Sequence, residues 1–431
     1  MELTDFDCNQ FIAILQEELV PALGCTEPIA IAYAGAHARA LLGKIPDRVC
    51  IKSSGNIIKN VKSVTVPNSG NMKGIPAAAA IGIIGGNPDK GLEVLADITE
   101  ADIARTKEFL EKIPCKVSLL DTVASLHFIV EVFAGADSAS VEIIHQHTNI
   151  VRTTKNGKEV LSVPFDPASA NAALTDRSCL SVKKILEFAD TIDLDRVRPI
   201  LERQIDYNTR IAQEGLEHRY GINAGANLLK AAEAEQAVTV KIRAQAAAAA
   251  GSDARMSGCT LPVVTNSGSG NQGLTASLPV IVFAEEKKLP HDQLLRGLLV
   301  SNLIAIHQKT RIGRLSAYCG AVSAGCGSGA AVTYLSGGSY EQVCETITNT
   351  LAVVSGIVCD GAKPSCASKI ATSVDAALNA HYLAMQNRVF EPGEGIVKGD
   401  IEKTIAGVGA VAADGMRETD KVILHIMVDD D

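Results

Sequence analysis

The interior of this chain has to be built almost without aromatic rings. There is no Trp, and aromatic residues make up 4% of 431 positions, although 47% of the chain is hydrophobic. Ala, Gly, Ile, Leu and Val must fill the core. Side chains this small leave no voids only where backbones approach closely, which favours packed helices. The length suggests two or three lobes and suffices to bury a large core. A net charge of −9 argues against nucleic acid or an anionic membrane surface as the main partner. The uncharged stretches 256–284 and 315–340 do not read as membrane spans, because Gly and Ser recur through both. Eleven cysteines, odd in number and irregularly spaced, are too sparse for a disulfide scaffold. The acidic start, MELTDFDCNQ, lacks the order of a signal peptide, so a reducing cytoplasm is expected.

The periodicity changes once along the chain. Phe11, Ile14, Leu15 and Leu19 keep helical spacing up to Pro21. Pro21-Ala-Leu-Gly-Cys25-Thr26-Glu27-Pro28 then leads into a second helix, for which Thr26 is the expected N-cap. Alternation over 48–66 reads as strands with turns, and 75–86 and 90–98 read as helices. Thr99 caps a further helix to 112, and strands follow at 116–120, 127–133, 140–145, 149–153 and 160–163, with Asn156-Gly157 as a hairpin turn. Beyond 166 strand signals nearly vanish, and 180–188, 194–214, 225–238 and 241–250 read as helices. The expected fold is α+β. Residues 1–45 form N-terminal helices packing on a mainly helical lobe, 166–431, with an α/β lobe, 46–165, inserted between them.

Three cysteines stand out near the end of the chain. Cys359-Asp-Gly-Ala-Lys-Pro-Ser-Cys366 holds two of them across a loop that Gly361 and Pro364 keep from being helical. A helix is expected on either side, over 341–358 and 367–383, with Ser365 as N-cap of the second. Cys319 falls at another helix junction. On spacing alone the three could be ligands of an iron–sulfur cluster, buried structural cysteines, or, with Cys326, a zinc site. Cys25 sits just outside a helix start, a position that lowers a thiol pKa, although a small buried cysteine in a turn fits as well. The turn at Asn68, Ser69 and Gly70 could offer backbone N–H groups to an anion, or be an ordinary turn. His145 and His147, two apart on an expected strand, read as paired surface histidines.

Gly268-Ser-Gly270-Asn-Gln-Gly273 matches the dinucleotide pattern, but Pro279 follows too soon for the required helix and the acidic residue is misplaced, so no nucleotide is expected. The stretch reads instead as a polar, flexible loop. Its Asn266, Ser267, Gly268 and Asn271 could grip a small zwitterion, with Arg255 suited to a carboxylate.

Four motifs together, PALGCTEP at 21–28, SDARMSG at 252–258, TNSGSGNQG at 265–273 and the loop at 359–366, resemble the bacterial L-cysteine desulfidases, relatives of the α-chains of iron–sulfur L-serine dehydratases. The resemblance runs over nearly the whole chain. It implies an oxygen-sensitive [4Fe-4S] cluster in the helical lobe, bound by Cys319, Cys359 and Cys366, with one iron free of a protein ligand. It also implies proton transfer by Cys25. Bacterial serine dehydratases carry a C-terminal cysteine that caps the open iron. This chain ends in Met-Val-Asp-Asp-Asp, a departure that favours the desulfidase branch.

The implied reaction is β-elimination of L-cysteine to pyruvate, ammonia and sulfide. Cys25 acts as base, without pyridoxal phosphate, and Thr26, Glu27 and the Asn68–Gly70 and Asn266–Asn271 segments hold the amino acid. L-Serine dehydration on the same site is the close rival, a non-catalytic iron–sulfur redox or amino-acid sensor the rival of another class, and a structural zinc protein the third. No nucleic-acid or membrane partner is expected, and a homodimer is compatible with this reading.

Overall fold

The computed structural model describes residues 3–168 and 174–428. It is an α+β protein with two hydrophobic cores, one under a sheet and one inside a cluster of helices.

The sheet has six strands in the spatial order Cys115–Leu119, Arg48–Ser53, His127–Ala134, Asp137–Ile144, Ile150–Lys155 and Lys158–Ser162. The first pair is parallel and the others are antiparallel. Strand alternation puts Val49, Ile51, Phe128, Val130, Val132, Val141 and Ile143 in the core. Asn156 and Gly157 both take positive φ, 51° and 75°, as a tight two-residue hairpin requires. Helices Thr26–Leu42 and Gly74–Gly85 share this core with the sheet.

Glycines let these two helices cross with their backbones close together. A Cβ on Gly82 would lie 2.1 Å from the carbonyl oxygen of Ala32, and one on Gly35 would lie 2.8 Å from that of Ala79. This is the close approach that an aromatic-poor core demands.

The second core is helical. Helix Gly320–Leu335 is buried along most of its length and packs against His291–Ile312, Cys366–Ala384, Gly270–Glu286 and Tyr340–Val354. Phe11, Ile14, Leu15 and Leu19 of the first helix, Asp5–Glu18, join it. A two-stranded antiparallel ribbon, Pro21–Leu23 with Pro262–Val264, ties the start of the chain to its middle. No described helix is long and apolar enough to cross a membrane.

Several expectations are corrected. The second helix was expected on the helical side and lies in the core of the sheet instead, because Ile29, Ile31 and its alanines face Gly74–Gly85 and the strands. Residues 55–61 are a short helix, not a strand, and 90–98 holds only a short 3-10 turn, Pro88–Glu93, before looser turns. The glycine-rich stretch is not a flexible loop: helix Gly270–Glu286 begins inside it and accommodates Pro279. Its preceding strand is antiparallel and three residues long, unlike the parallel strand of a dinucleotide site. The strand before His145 ends at Ile144, and His145 and His147 are both buried rather than on the surface.

Gly82→Ala would drive a methyl group into the Ala32 carbonyl. It is expected to cost a net ~1–3 kcal/mol despite the better helix propensity of Ala, read as a lower midpoint in urea unfolding.

Candidate active site

Cys25, not Thr26, is the N-cap of helix Thr26–Leu42, with extended backbone and no capping side chain. Its Sγ donates a hydrogen bond to Oε2 of Glu27 at 3.1 Å, and both residues are buried. Thr26 Oγ1 lies 3.0 Å from the same Glu27 oxygen and 3.0 Å from the carbonyl oxygen of Gly268. The other Glu27 oxygen accepts from Asn60 Nδ2 at 3.0 Å. Thr26 and Glu27 therefore serve the thiol and the Gly268 turn.

The thiol differs from the expectation of an activated thiolate. Burial raises its pKa well above the usual thiol value, and the Glu27 carboxylate and the hydrogen bond to it push the same way. Desolvation and a neighbouring negative charge outweigh the helix start and Arg255. For Glu27, burial alone would raise the pKa. Charge on His147, the Cys25 thiol, its own backbone amide and Arg255 more than reverse that, and with His147 neutral at physiological pH the thiol, the amide and Arg255 remain to favour the carboxylate. The pair at rest is a thiol donating to a buried carboxylate.

The glycine-rich stretch is a tight turn. Asn266 and Ser269 bridge each other, and Ser267 and Gly268 take positive φ. The first amides of helix Gly270–Glu286 have no partner within that helix, as at any helix start. Ser267 Oγ donates to Asn266 Oδ1, and Asn266 Nδ2 is spent on Asn302. Asn271 Oδ1, Gln272 Oε1 and Arg255 Nε are buried without a protein partner. Arg255 lies against Gly270, where a Cβ would come within 2.4 Å of its Nε. His147 and Arg314 close the other side of Gly268, within 3.2 Å and 2.7 Å of where its Cβ would be. Burial holds the His147 imidazole down at about 4, so it is neutral at physiological pH.

The three late cysteines meet, two at helix starts and Cys359 in the loop between helices. Cys319 is the N-cap of Gly320–Leu335 and Cys366 is the first residue of Cys366–Ala384. The bridge between Tyr318 and Val358 brings Cys359 to Cys319. Cys319 N donates to Ile357 O at 3.0 Å, and Cys359 N to Ala317 O at 2.6 Å. Gly361 turns the loop with φ 97° against the Lys59 carbonyl, where a Cβ would stand 2.6 Å from that oxygen. Burial first, then the nearby Cys359, pushes Cys319 up to about 12. Burial also raises Cys366, with Cys359 adding to it. The three thiols are thus near enough to repel one another as thiolates.

Ser365, the expected N-cap, is in helical conformation and makes no capping bond; its hydroxyl is buried without a partner. Cys326 points away, to Ile347 O, which removes the fourth ligand of a zinc site. Among the described residues no three acidic, His or Cys side chains converge to hold one ion. A four-iron cluster does not need such convergence, since each thiolate binds its own iron. The partnerless donors Arg255 Nε and Ser365 Oγ, the latter next to Cys366, suit an anionic group of that kind.

One short helix joins the two chemistries. Gly55–Val61 carries Asn60, which holds Glu27, and Lys59, whose Nζ donates to Cys359 O at 3.3 Å. Lys59 also pairs with Asp420 of the C-terminal helix Arg417–Val428. Lys309, lowered to about 8 by burial, sits within the electrostatic reach of Cys359 and Cys319.

Of the expected substrate residues, Asn68 and Ser69 are turned inward. Asn68 Nδ2 donates to Leu95 O, Ser69 Oγ to Val66 O, and Gly70 is exposed. That turn meets the site through Pro67, which packs on Gly24. Sequence reasoning missed His147, Asn60, Lys59, Lys309 and Arg314. None belongs to a motif, and only the fold brings them in.

Clustered thiols and a buried thiol–carboxylate pair fit a lyase-type enzyme of the serine dehydratase kind, a class that is iron–sulfur dependent and acts on an amino acid. The chain belongs to the serine dehydratase alpha-chain family, whose model matches residues 89–425. Cys25 and Glu27 lie outside that span but inside the full-length likeness to other proteins. A UPF0597 protein of Treponema denticola is 57% identical over 431 residues, covering all of both chains. One from Lachnoclostridium phytofermentans is 54% identical, over 97% of this chain and 99% of that one.

Asp253 supplies a pH test. Burial raises its carboxyl to about 6, and its Oδ1 is partnerless while Oδ2 accepts from Gly225 N. The unfolded value is 3.8, so the folded state binds the proton more tightly. Stability therefore falls as pH rises from about 4 to about 6 and is flat above, by on the order of 2–3 kcal/mol at most. Asp253→Asn should be the more stable protein at pH 7 and lose that advantage at pH 4, in urea titrations at both values.

Proposed function

We propose that the chain catalyses β-elimination on a small amino acid, with L-cysteine as the preferred substrate and pyruvate, ammonia and sulfide as products. The observation that carries this reading is the buried Cys25–Glu27 pair, with its Sγ–Oε2 distance of 3.1 Å, and Arg255, whose charge reaches both Cys25 and Cys366. A non-catalytic sensor has no use for a buried proton-transfer pair.

Cys319, Cys359 and Cys366 would hold a [4Fe-4S] cluster, which supplies, when bound, one iron without a protein ligand as a Lewis acid for the leaving sulfur. The protein does the rest. The substrate carboxylate goes to Arg255 and the free amides at the start of Gly270–Glu286, both of which favour an anion. Asn271 Oδ1 and Gln272 Oε1 are acceptors for the ammonium. Glu27 takes the Cys25 proton through the existing hydrogen bond, and the thiolate so formed removes the α-proton. Asn60 and Thr26 keep Glu27 aligned for that transfer. Loss of the β-substituent leaves 2-aminoacrylate, which water converts to pyruvate and ammonia.

L-Serine follows the same course with hydroxide as leaving group, and a thiolate is the better ligand for iron. Anaerobic assays of sulfide from L-cysteine and of ammonia from both amino acids decide the order. Ammonia from serine without sulfide from cysteine would move the protein to the dehydratase branch.

Cys25→Ala is expected to lower kcat about 10³-fold while the iron–sulfur absorption is retained. Cys359→Ala should instead abolish that absorption together with activity. Full turnover by Cys25→Ala would remove the thiol from the mechanism.

A further inference from the structure

One cavity lies away from the thiols. It measures about 630 Å³ and lies between the segment following residue 173, the end of helix His291–Ile312 and the helix Ile401–Ala410. Arg177, Thr310, Arg311, Ala406 and Asp414 are in its wall. Opposite charges therefore face one space of a size that admits a small polar molecule.

A second, narrow space of about 20 Å³ continues from it. The two share Leu174, Arg177 and Thr310, and the narrow one ends on Ser267, Lys309 and Arg314. Ser267 adjoins Gly268, whose carbonyl accepts from Thr26 next to Cys25. Arg177, which lines both spaces, is held by two carboxylates, Glu17 at 3.0 Å and Glu18, and Glu18 lines the narrow space. Glu18 takes two hydrogen bonds from Arg314, at 3.0 and 3.1 Å, and a third from Arg177 on the cavity side. All three side chains are largely buried, with 4%, 14% and 5% of their surfaces exposed.

The arrangement suits a hinge. Glu18 is the last residue of the first helix, and Arg314 follows Gly313, whose φ of 90° ends the helix before it. Neither arginine is fixed by a regular element at the point of contact. An arriving carboxylate competes with Glu18 for Arg177, and an arriving ammonium competes with the arginines for Glu18. A zwitterion therefore loosens the cluster from both sides, which a singly charged or neutral solute does not.

We propose that this cavity is the entry vestibule for the amino acid, and that the Arg177–Glu18–Arg314 cluster is the partition between it and the buried thiol. The idea rests on the lyase reading for the identity of the solute, but its test does not require turnover. Cys25 is 2% exposed, so the rate at which a small thiol reagent modifies it reports the opening of whatever path reaches it.

The holoprotein is treated anaerobically with methyl methanethiosulfonate, and modification of Cys25 and of the more accessible Cys8 is followed by peptide mass spectrometry. Ala406→Trp, which fills the vestibule from a half-buried position, is expected to slow modification of Cys25 about tenfold and leave that of Cys8 unchanged. Glu18→Gln keeps the shape but weakens the partition and should speed it severalfold. Unchanged rates at Cys25 in a folded Ala406→Trp protein overturn the proposal. Should that variant fail to fold, Ala413→Trp on the same wall is read in its place, with the same two outcomes. If the protein turned over neither amino acid, the lyase reading would fall while the labelling result would still decide the path.

Discussion

Helix starts without capping side chains are what the rest of the site depends on. Thr26–Leu42, Gly270–Glu286, Gly320–Leu335 and Cys366–Ala384 all begin here, and none has a side-chain cap. Elsewhere Thr4, Thr99, Ser181, Thr239, Ser339 and Asp400 cap their helices, while others, such as Arg198–Glu217 and His291–Ile312, start without a side-chain cap, so it is the convergence of four such starts that marks this region. The uncapped starts leave backbone amides and the positive ends of helix dipoles pointed at one region. Such a region can hold negative charge out of water. The candidate occupants are all anionic: a carboxylate at Glu27, thiolates at 319, 359 and 366, and an amino-acid carboxylate.

The aromatic-poor composition is the condition for assembling those starts. Helices can converge only if their flanks are thin. Gly273 and Gly320 show how thin: a Cβ would fall 1.9 Å from Val264 O in the first case and 2.5 Å from Gln272 Cδ in the second. Bulkier flanks would force the helices apart and separate the ribbon that carries Cys25 from the turn that carries Ser267.

Much of this was legible in the sequence, for a local reason. The strands over 115–162, the capping box at Thr99 and the Asn-Gly hairpin are set by residues near in sequence, and they appear where the periodicity puts them. Cys319 and Cys366 stand at helix starts, as their flanking runs suggested. Contributions from distant segments were not legible. His147 reads as one of two surface histidines because the charged groups it meets, Glu27, Arg255 and Arg314, are over a hundred residues away in sequence. The helix Gly55–Val61 was read as strand, since its apolar residues alternate as easily as they fit one turn of helix, and its role depends on Glu27 and Cys359. Pro279 was taken to forbid a helix that exists. The helix lacks only the one amide bond Pro cannot donate, and burial of Leu274, Leu278 and Ile281 holds it in place.

The thiol is the case in which position and environment disagree, and environment decides. A helix start favours thiolate by a modest dipole interaction, whereas full burial beside a carboxylate opposes it with the larger desolvation and charge terms. A base that is protonated at rest is not idle if its proton has somewhere to go. Among the described residues Glu27 is the carboxylate in hydrogen-bonding contact with Cys25, and it is already ionised. Arg255 is the counterweight, since its charge lowers both the thiol and the carboxyl. An anion placed on Arg255 would raise both, so the balance between sulfur and oxygen is set by the hydrogen bond they share more than by that distant charge.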